Sequence, residues 1–433
     1  MKPFIDFITK DIMGQPALLV GLIATVGLIL QQKPFATVLA GGVKTAVGYL
    51  IIVGGSGIVV GVLNATMTPL ITAAFNLRAP AAESGGMGLT KFLAEWGGYA
   101  TLAVALGFVI NVALARFTRF KYIYLTGHLM IGMNNRLFAA ILVGAPFISP
   151  MALVLIAGVI SGIYWTLQPA YIMKDMAKVT GTEDLAYGHT SSLNAWIAAK
   201  LGPLVGSPKE STEDLELPEW LEFFKDTTVS LGFVLALFTV IVALIAGPAN
   251  VNKISAGRNY IVYALMQGLT FGAGITVMLY GVRIIIGELV PAFRGVAKVL
   301  VPGAKPALDC PIVFPYAPTA VLVGFVSSFA SFLVCMFLFG AMKWGVIIPP
   351  MIMLFFPGGA SGVFGNSTGG WKGAVLGGVI TGILLAIFQL VLGYATTATV
   401  PYYAQTADPD THIIPLLTVY GSKILAPIFG WAQ

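Results

Sequence analysis

Charged residues and cysteine are scarce in this sequence. Asp, Glu, Lys and Arg make up only 10% of its 433 residues, against about 25% in an ordinary soluble domain. Two cysteines and three histidines are too few for a disulfide framework or a histidine-rich metal site. The hydrophobic fraction is 57%, and the mean hydropathy is +0.89. This composition excludes a soluble globular enzyme and a disordered chain, and it predicts a polytopic membrane protein.

Several catalytic signatures are also missing. No G-x-x-x-x-G-K-[ST] motif is present to hydrolyse ATP by a P-loop, and neither H-E-x-x-H nor G-x-S-x-G occurs. Cys310 follows Asp309, whose carboxylate disfavours a thiolate, so we predict a structural cysteine rather than a nucleophile. The net charge of +6 indicates positive cytoplasmic loops rather than nucleic-acid binding. We predict no metal site and no cofactor.

Long apolar intervals set the number of membrane segments. A helix needs about 20 apolar residues to cross the hydrocarbon core, and several intervals are near twice that length and are interrupted by glycine or proline. Backbone broken at membrane depth must be buried in protein or must line a cavity. We therefore predict an all-α fold of ten to twelve membrane segments, with eleven as the central value, that contains discontinuous helices and hairpins.

A polar stretch divides the apolar sequence into a first membrane repeat over residues 1–171, an insert over residues 172–226 and a second membrane repeat over residues 227–433. In the insert, Trp220, Phe223 and Phe224 stand at i, i+3 and i+4 after Pro218. This spacing predicts a short amphipathic helix that lies on the membrane surface. A docking face for a soluble partner is the alternative.

The two halves contain an internal repeat at a fixed offset. A shift of 226 residues pairs Gly55 with Gly281, and both copies then end in Pro-Ala-x-acid, where Glu83 matches Asp309. Chance identity in so biased a composition is one explanation. The other is a duplicated transporter half, in which broken helices place the substrate site at the repeat interface.

Polar residues within apolar sequence are the candidates for that site. His128 and His189 suit a hydroxyl-rich ligand because a neutral imidazole donates from one nitrogen and accepts at the other. Asp309 and Glu83 are acceptors for hydroxyl groups, although each of these residues taken alone is as readily structural. His412, beside Asp408 and Asp410, has the sequence surroundings of an ordinary loop residue.

A second glycine-rich segment covers residues 356–371 and contains Ser361 and Asn366. Dense glycines permit either close helix packing or exposed backbone N–H groups at the ends of half-helices. We favour a polar-lined hairpin, which makes Ser361, Asn366 and Glu83 additional candidates for the pocket.

Several strings in both halves and in the insert have a common resemblance. They are Thr126-Gly127-His128-Leu129-Met130, Gly188-His189, Glu213-Asp214-Leu215-x-Leu217-Pro218-x-Trp220-Leu221, Leu308-Asp309-Cys310 and Gly362-Val363-Phe364-x-Asn366-x-x-Gly369-Gly370-Trp371. They resemble the ascorbate-specific permease (IIC component) of the bacterial phosphotransferase system, and the similarity covers nearly the whole chain in order.

The resemblance implies an eleven-helix homodimer with inverted repeats, in which a core domain moves as an elevator against a V-shaped scaffold domain. It also implies a multi-pass protein of the bacterial plasma (inner) membrane, surrounded by lipid. The ligand that the resemblance implies is L-ascorbate or a related hydroxyl-rich molecule. It further implies that phosphoryl transfer is supplied by a IIB subunit, which a IIA subunit phosphorylates in the phosphoenolpyruvate-dependent pathway, so that the permease is not expected to be an enzyme itself.

The resemblance also assigns substrate-binding positions. They are Ser84, Gly85, His128, Leu129, Met130, Ile131, Gly132, His189, Thr190 and Asp309. Gly132 and Thr190 stand where the family has glutamine, and Ser84-Gly85 stand where it has Thr-Tyr. These three departures leave the ligand open.

Two other functions are compatible with the sequence. An ion-coupled secondary transporter on the same fold would carry a small polyol or organic anion without a phosphoryl donor. A membrane enzyme or binding scaffold is the third hypothesis, and the lack of a clear nucleophile or metal set argues against it.

Overall fold

A computed structural model describes residues 15–75, 89–214, 226–345, 347–396 and 407–431. Within these ranges, eight helices are long and apolar enough to cross a membrane. The helices are α1 Pro16–Leu30, α2 Phe35–Val62, α3 Thr68–Ala74, α4 Leu89–Phe117, α5 Gly127–Gly144, α6 Pro150–Thr180, α7 Ser192–Val205, α8 Thr227–Ala246, α9 Pro248–Val251, α10 Tyr260–Val299, α11 Pro318–Ala341, α12 Met351–Thr396 and α13 Pro409–Phe429. The prediction of a mainly helical, polytopic membrane protein is confirmed.

Short helical turns and side-chain caps join these elements. A π-helical turn, Leu63–Met67, links α2 to α3, and 3-10 turns cover Pro208–Glu210 and Cys310–Tyr316. Asp226 begins α8 by accepting hydrogen bonds from the N–H groups of Thr228 and Val229 at 2.8 and 3.1 Å. Such caps satisfy backbone donors that the helix itself leaves unpaired.

The helices pack in two groups. One group contains α1, α2, α8 and α10, and α2 and α10 form its central pair. The other contains α4 to α7 and α11 to α13, in which α7 packs on α12 and α13 packs on α5. The final helix of one half thus packs on the long helix of the other half, α7 on α12, and α13 packs in the same way on α5.

The repeat offset relates helices that touch each other. A shift of 226 residues carries Ile52 to Met278 and Gly55 to Gly281, and so places α2 on α10. A Cβ at Gly55 would lie 2.5 Å from the Met278 nitrogen, and a Cβ at Gly281 would lie 2.7 Å from the Ile52 nitrogen. Each contact is the repeat-related copy of the other. Because the chain numbers run in opposite directions across this contact, α2 and α10 are antiparallel.

The same offset aligns the helical hairpins. α5 ends at Gly144, which the shift places on Gly370, where α12 breaks with a φ of 59°. A Cβ at Gly370 would overlap the carbonyl oxygens of both Ser207 and Glu210, so a side chain has no room there. Gly377, after the break, packs against the carbonyl group of Ser361 before it, so the chain folds back and α12 is two arms of a hairpin.

A small parallel sheet, which the sequence analysis did not predict, lies inside the second helix group. Its strands are β1 Tyr122–Tyr124, β2 Ala186–Tyr187 and β3 Lys305–Leu308, with β3 in the centre. Both outer strands run parallel to β3. Strands of two to four residues are too short to show the alternation that identifies a strand, which is why the sequence predicted only helices here.

Amide side chains from two helices complete the edges of this sheet. Asn111 of α4 donates to the Tyr122 carbonyl and accepts from the Tyr124 N–H, both at 3.0 Å. On the other edge, Gln168 of α6 donates to the Tyr187 carbonyl at 3.0 Å. A buried strand edge is costly unless its backbone groups are paired, and these amides supply the pairing.

The predicted insert begins inside a helix, because α6 continues to Thr180, and α7 follows within the same stretch. Trp220, Phe223 and Phe224 lie outside the described residues, as does the predicted surface helix. The division into residues 1–171, 172–226 and 227–433 thus stays a prediction.

Candidate substrate site

The three strands of the sheet each lead into one candidate residue. His128 follows β1 after a short turn, His189 comes two residues after β2, and Asp309 comes directly after β3. The carboxyl ends of parallel strands meet at one edge of a sheet, where ligands commonly bind in open α/β sheets. The sheet therefore brings together residues that are far apart in the sequence.

Asp309 lies between the two histidines. Its Oδ2 is 3.6 Å from Nε2 of His128, and its Oδ1 is 3.4 Å from Nε2 of His189. The side chain of His128 is 57% exposed and that of Asp309 is 29% exposed, whereas that of His189 is 5% exposed. His128 and Asp309 therefore border open space, whereas His189 is buried and lies against Asp309 on the protein side.

The loops carrying these residues are joined across β3. The Leu125 N–H donates to the Ala307 carbonyl at 3.0 Å, and the Gly188 N–H donates to the Leu308 carbonyl at 2.7 Å. The Thr126 hydroxyl then donates to the Gly188 carbonyl at 2.6 Å. The positions of His128 and His189 relative to Asp309 are thus fixed by backbone hydrogen bonds on both sides of the central strand.

The tautomer of His189 follows from its neighbours. The Ser191 N–H donates to Nδ1 of His189 at 3.1 Å, and a backbone N–H cannot accept. Nδ1 is therefore unprotonated, and Nε2, which lies 3.4 Å from Oδ1 of Asp309, carries the proton. His189 lies in the loop between β2 and α7, and burial lowers the pKa of its imidazole, which favours this neutral form.

Two hydroxyl groups extend this arrangement away from the site. The Ser191 hydroxyl is 2.7 Å from Nδ1 of His189, and because Nδ1 accepts, the hydroxyl donates. It therefore accepts from the Tyr187 hydroxyl at 3.0 Å. The hydrogen bonds run in one direction from Tyr187 through Ser191 and His189 towards Asp309.

Thr190 faces the beginning of α13 rather than the open space. Its hydroxyl donates to the Asp408 carboxylate, and its carbonyl accepts from the Asp410 N–H at 3.0 Å. Asp410 in turn accepts from the Tyr164 hydroxyl at 2.7 Å and the Leu193 N–H at 3.1 Å. These bonds fix the loop that carries His189.

The expectation that His412 is a loop residue was wrong. His412 is buried in the first turn of α13, with Nδ1 3.0 Å from the Asp408 carbonyl. The Asp408 N–H donates to the Thr411 hydroxyl at 2.9 Å, and proline occupies the first helical position. An Asp-Pro pair is itself a signal for a helix start, so the sequence held the information.

The remaining predicted positions on α5 divide between two faces. Met130 is buried in an apolar cluster, and Leu129 is half-buried. Ile131 is exposed, and Gly132 lies one turn after His128. Gly132 is covered by Arg136, whose Nη1 donates to the Gly132 carbonyl at 3.1 Å.

Ser361 and Asn366 join the second hairpin to the chain before it. Asn194 of α7 donates to the Ser361 hydroxyl at 2.8 Å, and Asn366 accepts from the Thr212 N–H at 2.9 Å. Asn366 also donates to the Ser211 hydroxyl at 3.0 Å. Both side chains are buried in these contacts. Glu83, Ser84 and Gly85 lie outside the described residues.

His189, Asp309 and Cys310 hold ligand atoms within 4.8 Å of one another, which makes them a candidate metal group. Burial raises the pKa of the Cys310 thiol well above its usual range, and the Asp309 carboxylate raises it further. A metal needs the thiolate and an unprotonated imidazole nitrogen, whereas Nε2 of His189 carries a proton. The donor set therefore fits hydrogen bonding to a ligand better than metal coordination.

The arrangement matches a small molecule with several hydroxyl groups. Asp309 accepts hydrogen bonds, and His128 can donate or accept depending on its tautomer. α5 begins at Gly127 and α7 at Ser192, next to the two histidines. Helix N-termini carry partial positive charge and favour an anionic group. Sequence reasoning found the three central residues and missed Tyr187, Ser191, Asp408 and Asp410, because their roles arise only from the folded loops.

Discontinuous helices beside a polar site are typical of multi-pass membrane transporters. The family model described as "PTS system sugar-specific permease component" (EIIC-GAT) matches residues 11–410, and the chain therefore belongs to this family. The chain is 28% identical over 464 residues to a Mycoplasma pneumoniae protein named "Ascorbate-specific PTS system EIIC component". The alignment covers 94% of this chain and 69% of that protein.

Family membership establishes the general role. The chain is a transport subunit of a phosphotransferase system rather than a catalytic one, and it is a multi-pass protein of the plasma membrane. Its ligand is a sugar or sugar-like molecule, and the IIB component of the system is its partner.

Proposed function

We propose that the protein carries L-ascorbate, or a closely related hydroxyl-rich ligand, across the membrane for phosphorylation by the IIB subunit. The observation that supports this most directly is Asp309 between two histidine side chains at 3.4 and 3.6 Å. The ascorbate-specific name of the Mycoplasma pneumoniae relative supports the choice of ligand.

The proposed site consists of His128, His189 and Asp309, with Ile131 and Gly132 along α5. Thr190 contributes by fixing the His189 loop. Leu129, Met130, Ser84 and Gly85 belong to the proposal through the family resemblance. Glu83, Ser361 and Asn366 belong to it as additional pocket residues, from the repeat match and the glycine-rich segment.

We also propose an elevator movement of the two helix groups relative to each other. The group of α1, α2, α8 and α10 is the candidate V-shaped scaffold, and the group that contains the sheet is the candidate core. The antiparallel, repeat-related contact between α2 and α10 supports an inverted repeat. Eleven membrane segments and a homodimer complete the architecture that we propose.

Uptake into proteoliposomes tests the function. Vesicles that contain the purified protein and enclose IIB, IIA and the general phosphotransferase components are supplied with labelled ascorbate outside and phosphoenolpyruvate inside. The proposal predicts that phosphorylated ascorbate accumulates inside, that omission of IIB abolishes accumulation, and that ionophores leave it unchanged. Uptake that persists without phosphoenolpyruvate and collapses with ionophores would instead establish the ion-coupled transporter.

A further inference from the structure

We propose that residues 116–121, which close α4 and lead into β1, form a docking surface for the phosphorylated IIB component on the cytoplasmic face of the protein. The inference rests on the proposed function and deepens it, because it names the surface that meets the partner. The sequence of this segment, the basic turn, is Arg-Phe-Thr-Arg-Phe-Lys. It combines three cations and two aromatic rings with no acid.

Hydrogen bonds within the basic turn fix its backbone. The Thr118 hydroxyl donates to the Leu114 carbonyl at 2.6 Å and accepts from the Phe120 N–H at 3.1 Å. Nζ of Lys121 donates to two carbonyls at the end of α4, at 3.0 and 3.1 Å, where a cation also complements the negative end of the helix. A partner that binds here therefore does not have to order the backbone of the turn.

The remaining side chains of the basic turn are presented to a partner. Arg116 and Arg119 are exposed, and Phe117 is 82% exposed. Arg116 lies over the Phe117 ring at 5.7 Å, and Arg119 lies over the Phe120 ring at 5.1 Å. Arginine and aromatic residues are enriched at protein–protein interfaces. Membrane–water interfaces favour Trp and Tyr, which are absent from residues 116–121, so the composition favours a protein over lipid headgroups.

Two acids on the same side of the sheet are paired with other cations. Lys305 begins β3, and its N–H donates to the Lys121 carbonyl at 2.7 Å. The Lys305 side chain pairs with Glu183 at 3.1 Å, and Asp184 pairs with Arg294 at 2.9 Å. Because each acid has its own cation, the positive charge of the basic turn remains uncompensated.

The distribution of cations places this side of the protein in the cytoplasm. The basic turn follows α4, and Lys178 and Lys298 stand in the last turns of α6 and α10. At the opposite ends, Lys91 begins α4 and Lys253 and Arg258 precede α10, and the first turn of α6 has no cation. Short segments rich in Lys and Arg stay on the cytoplasmic side. The phosphoenolpyruvate-dependent components act on that side.

β1 connects the basic turn to the ligand site. The strand starts at Tyr122, directly after the turn, and His128 follows its other end by four residues. Seven residues span at most about 25 Å even when fully extended. A partner seated on the basic turn therefore contacts the strand that leads to His128 and lies near the ligand that it is to phosphorylate.

The phosphorylated form of IIB has the matching charge. A phosphoryl group adds between about 1.5 and 2 negative charges at pH 7, and arginine is the side chain best suited to bind it through paired hydrogen bonds. Opposite charges speed the encounter of two proteins, and this effect weakens as salt is added. Phe117 supplies an exposed apolar anchor of the kind that interfaces bury at their centre.

The test measures the affinity of purified IIB for the full-length protein in nanodiscs of neutral phosphatidylcholine. IIB is added in its phosphorylated and its unphosphorylated form, without a sugar ligand. R116Q/R119Q removes two charges from the basic turn, and F117S removes the anchor. K253Q/R258Q is the matched control, because it removes two exposed cations before α10, at the opposite end.

We expect R116Q/R119Q to weaken binding of phosphorylated IIB about tenfold or more, F117S to weaken it in the same direction, and K253Q/R258Q to stay within about twofold of wild type. The preference of the wild type for phosphorylated IIB should shrink in R116Q/R119Q. Wild-type affinity in R116Q/R119Q, or an equal loss in the control, would overturn the inference. Should the glutamine variant fail to fold, salt decides: an affinity of the wild type that stays constant between about 50 and 500 mM salt would overturn it too.

Anionic lipid is the other occupant that the test can reveal. If R116Q/R119Q lowers the unfolding temperature only in nanodiscs that contain phosphatidylglycerol, and leaves the IIB affinity unchanged, the basic turn binds lipid headgroups and the inference is wrong. Failure of the proposed ligand gives a different result. A wild-type protein that binds phosphorylated IIB through the basic turn but does not bind ascorbate would support the docking surface and refute the ligand.

Discussion

The Ser191 N–H donates to Nδ1 of His189 at 3.1 Å, and this bond determines that Nε2 carries the imidazole proton. A second, side-chain bond from the Ser191 hydroxyl reaches the same nitrogen at 2.7 Å. Because the backbone donor is independent of the side chain at position 191, the tautomer of His189 is a property of the loop fold. The site thus presents a fixed donor beside the Asp309 carboxylate.

Replacement of His189 by two amides tests this fixed donor. The amide nitrogen of glutamine in H189Q lies near the position of Nε2, whereas asparagine in H189N reaches only as far as Nδ1. We expect H189Q to retain about tenfold more affinity for ascorbate than H189N, since a bond to a charged group contributes about 1.5–3 kcal/mol. Titration calorimetry on both variants measures the difference. Equal affinities would show that no donor at Nε2 is needed.

The edge of the sheet provides a stability prediction. Asn111 pairs with one donor and one acceptor of β1, so N111A removes the partner of one buried and one partly buried backbone group. We expect a loss of about 2–4 kcal/mol, because each unsatisfied group costs about 1–3 kcal/mol. Thermal unfolding in detergent, followed by tryptophan fluorescence, measures the change. N250A is the control, since the Asn250 side chain donates to the Ala246 carbonyl at the end of α8, accepts from Lys253 and pairs with no strand; a similar shift in both variants would contradict the role of Asn111.

Close packing between β3 and the loop after β2 gives a second stability prediction. A Cβ at Gly188 would lie 2.7 Å from the carbonyl carbon and oxygen of Ala307, and a central strand cannot move away. G188A should therefore destabilise the protein by about 1–3 kcal/mol, the usual cost of overpacking, and should also weaken ascorbate binding by displacing His189.

Gly287 provides the matched control for that change. A Cβ at this position in α10 has no neighbour within 4 Å. G287A should be neutral or stabilising by about 0.5–1 kcal/mol, because alanine is the better helix former. Unfolding of G188A at the same temperature as G287A would show that the loop accommodates a methyl group.

The sequence was sufficient to predict the membrane class and the long apolar helices, and it singled out three polar residues that the structure brings together. His128, His189 and Asp309 were recognisable because polar groups stand out in apolar sequence. Their convergence depends on a sheet whose longest strand, Lys305–Leu308, has four residues, too few to show periodicity. The contribution of Asp408 was missed because its hydrogen bond with Thr190 joins residues 218 positions apart and arises only in the folded protein.

The central claim is that the loops at the carboxyl edge of the sheet bind the transported ligand through Asp309. Equilibrium binding of labelled ascorbate to D309N tests it most directly, because asparagine keeps the shape and removes the charge. D184N is the control, since Asp184 is an exposed acid paired with Arg294 at 2.9 Å. We predict that D309N binds ascorbate at least about tenfold more weakly than wild type while D184N binds as wild type does. Wild-type affinity in D309N would contradict the account.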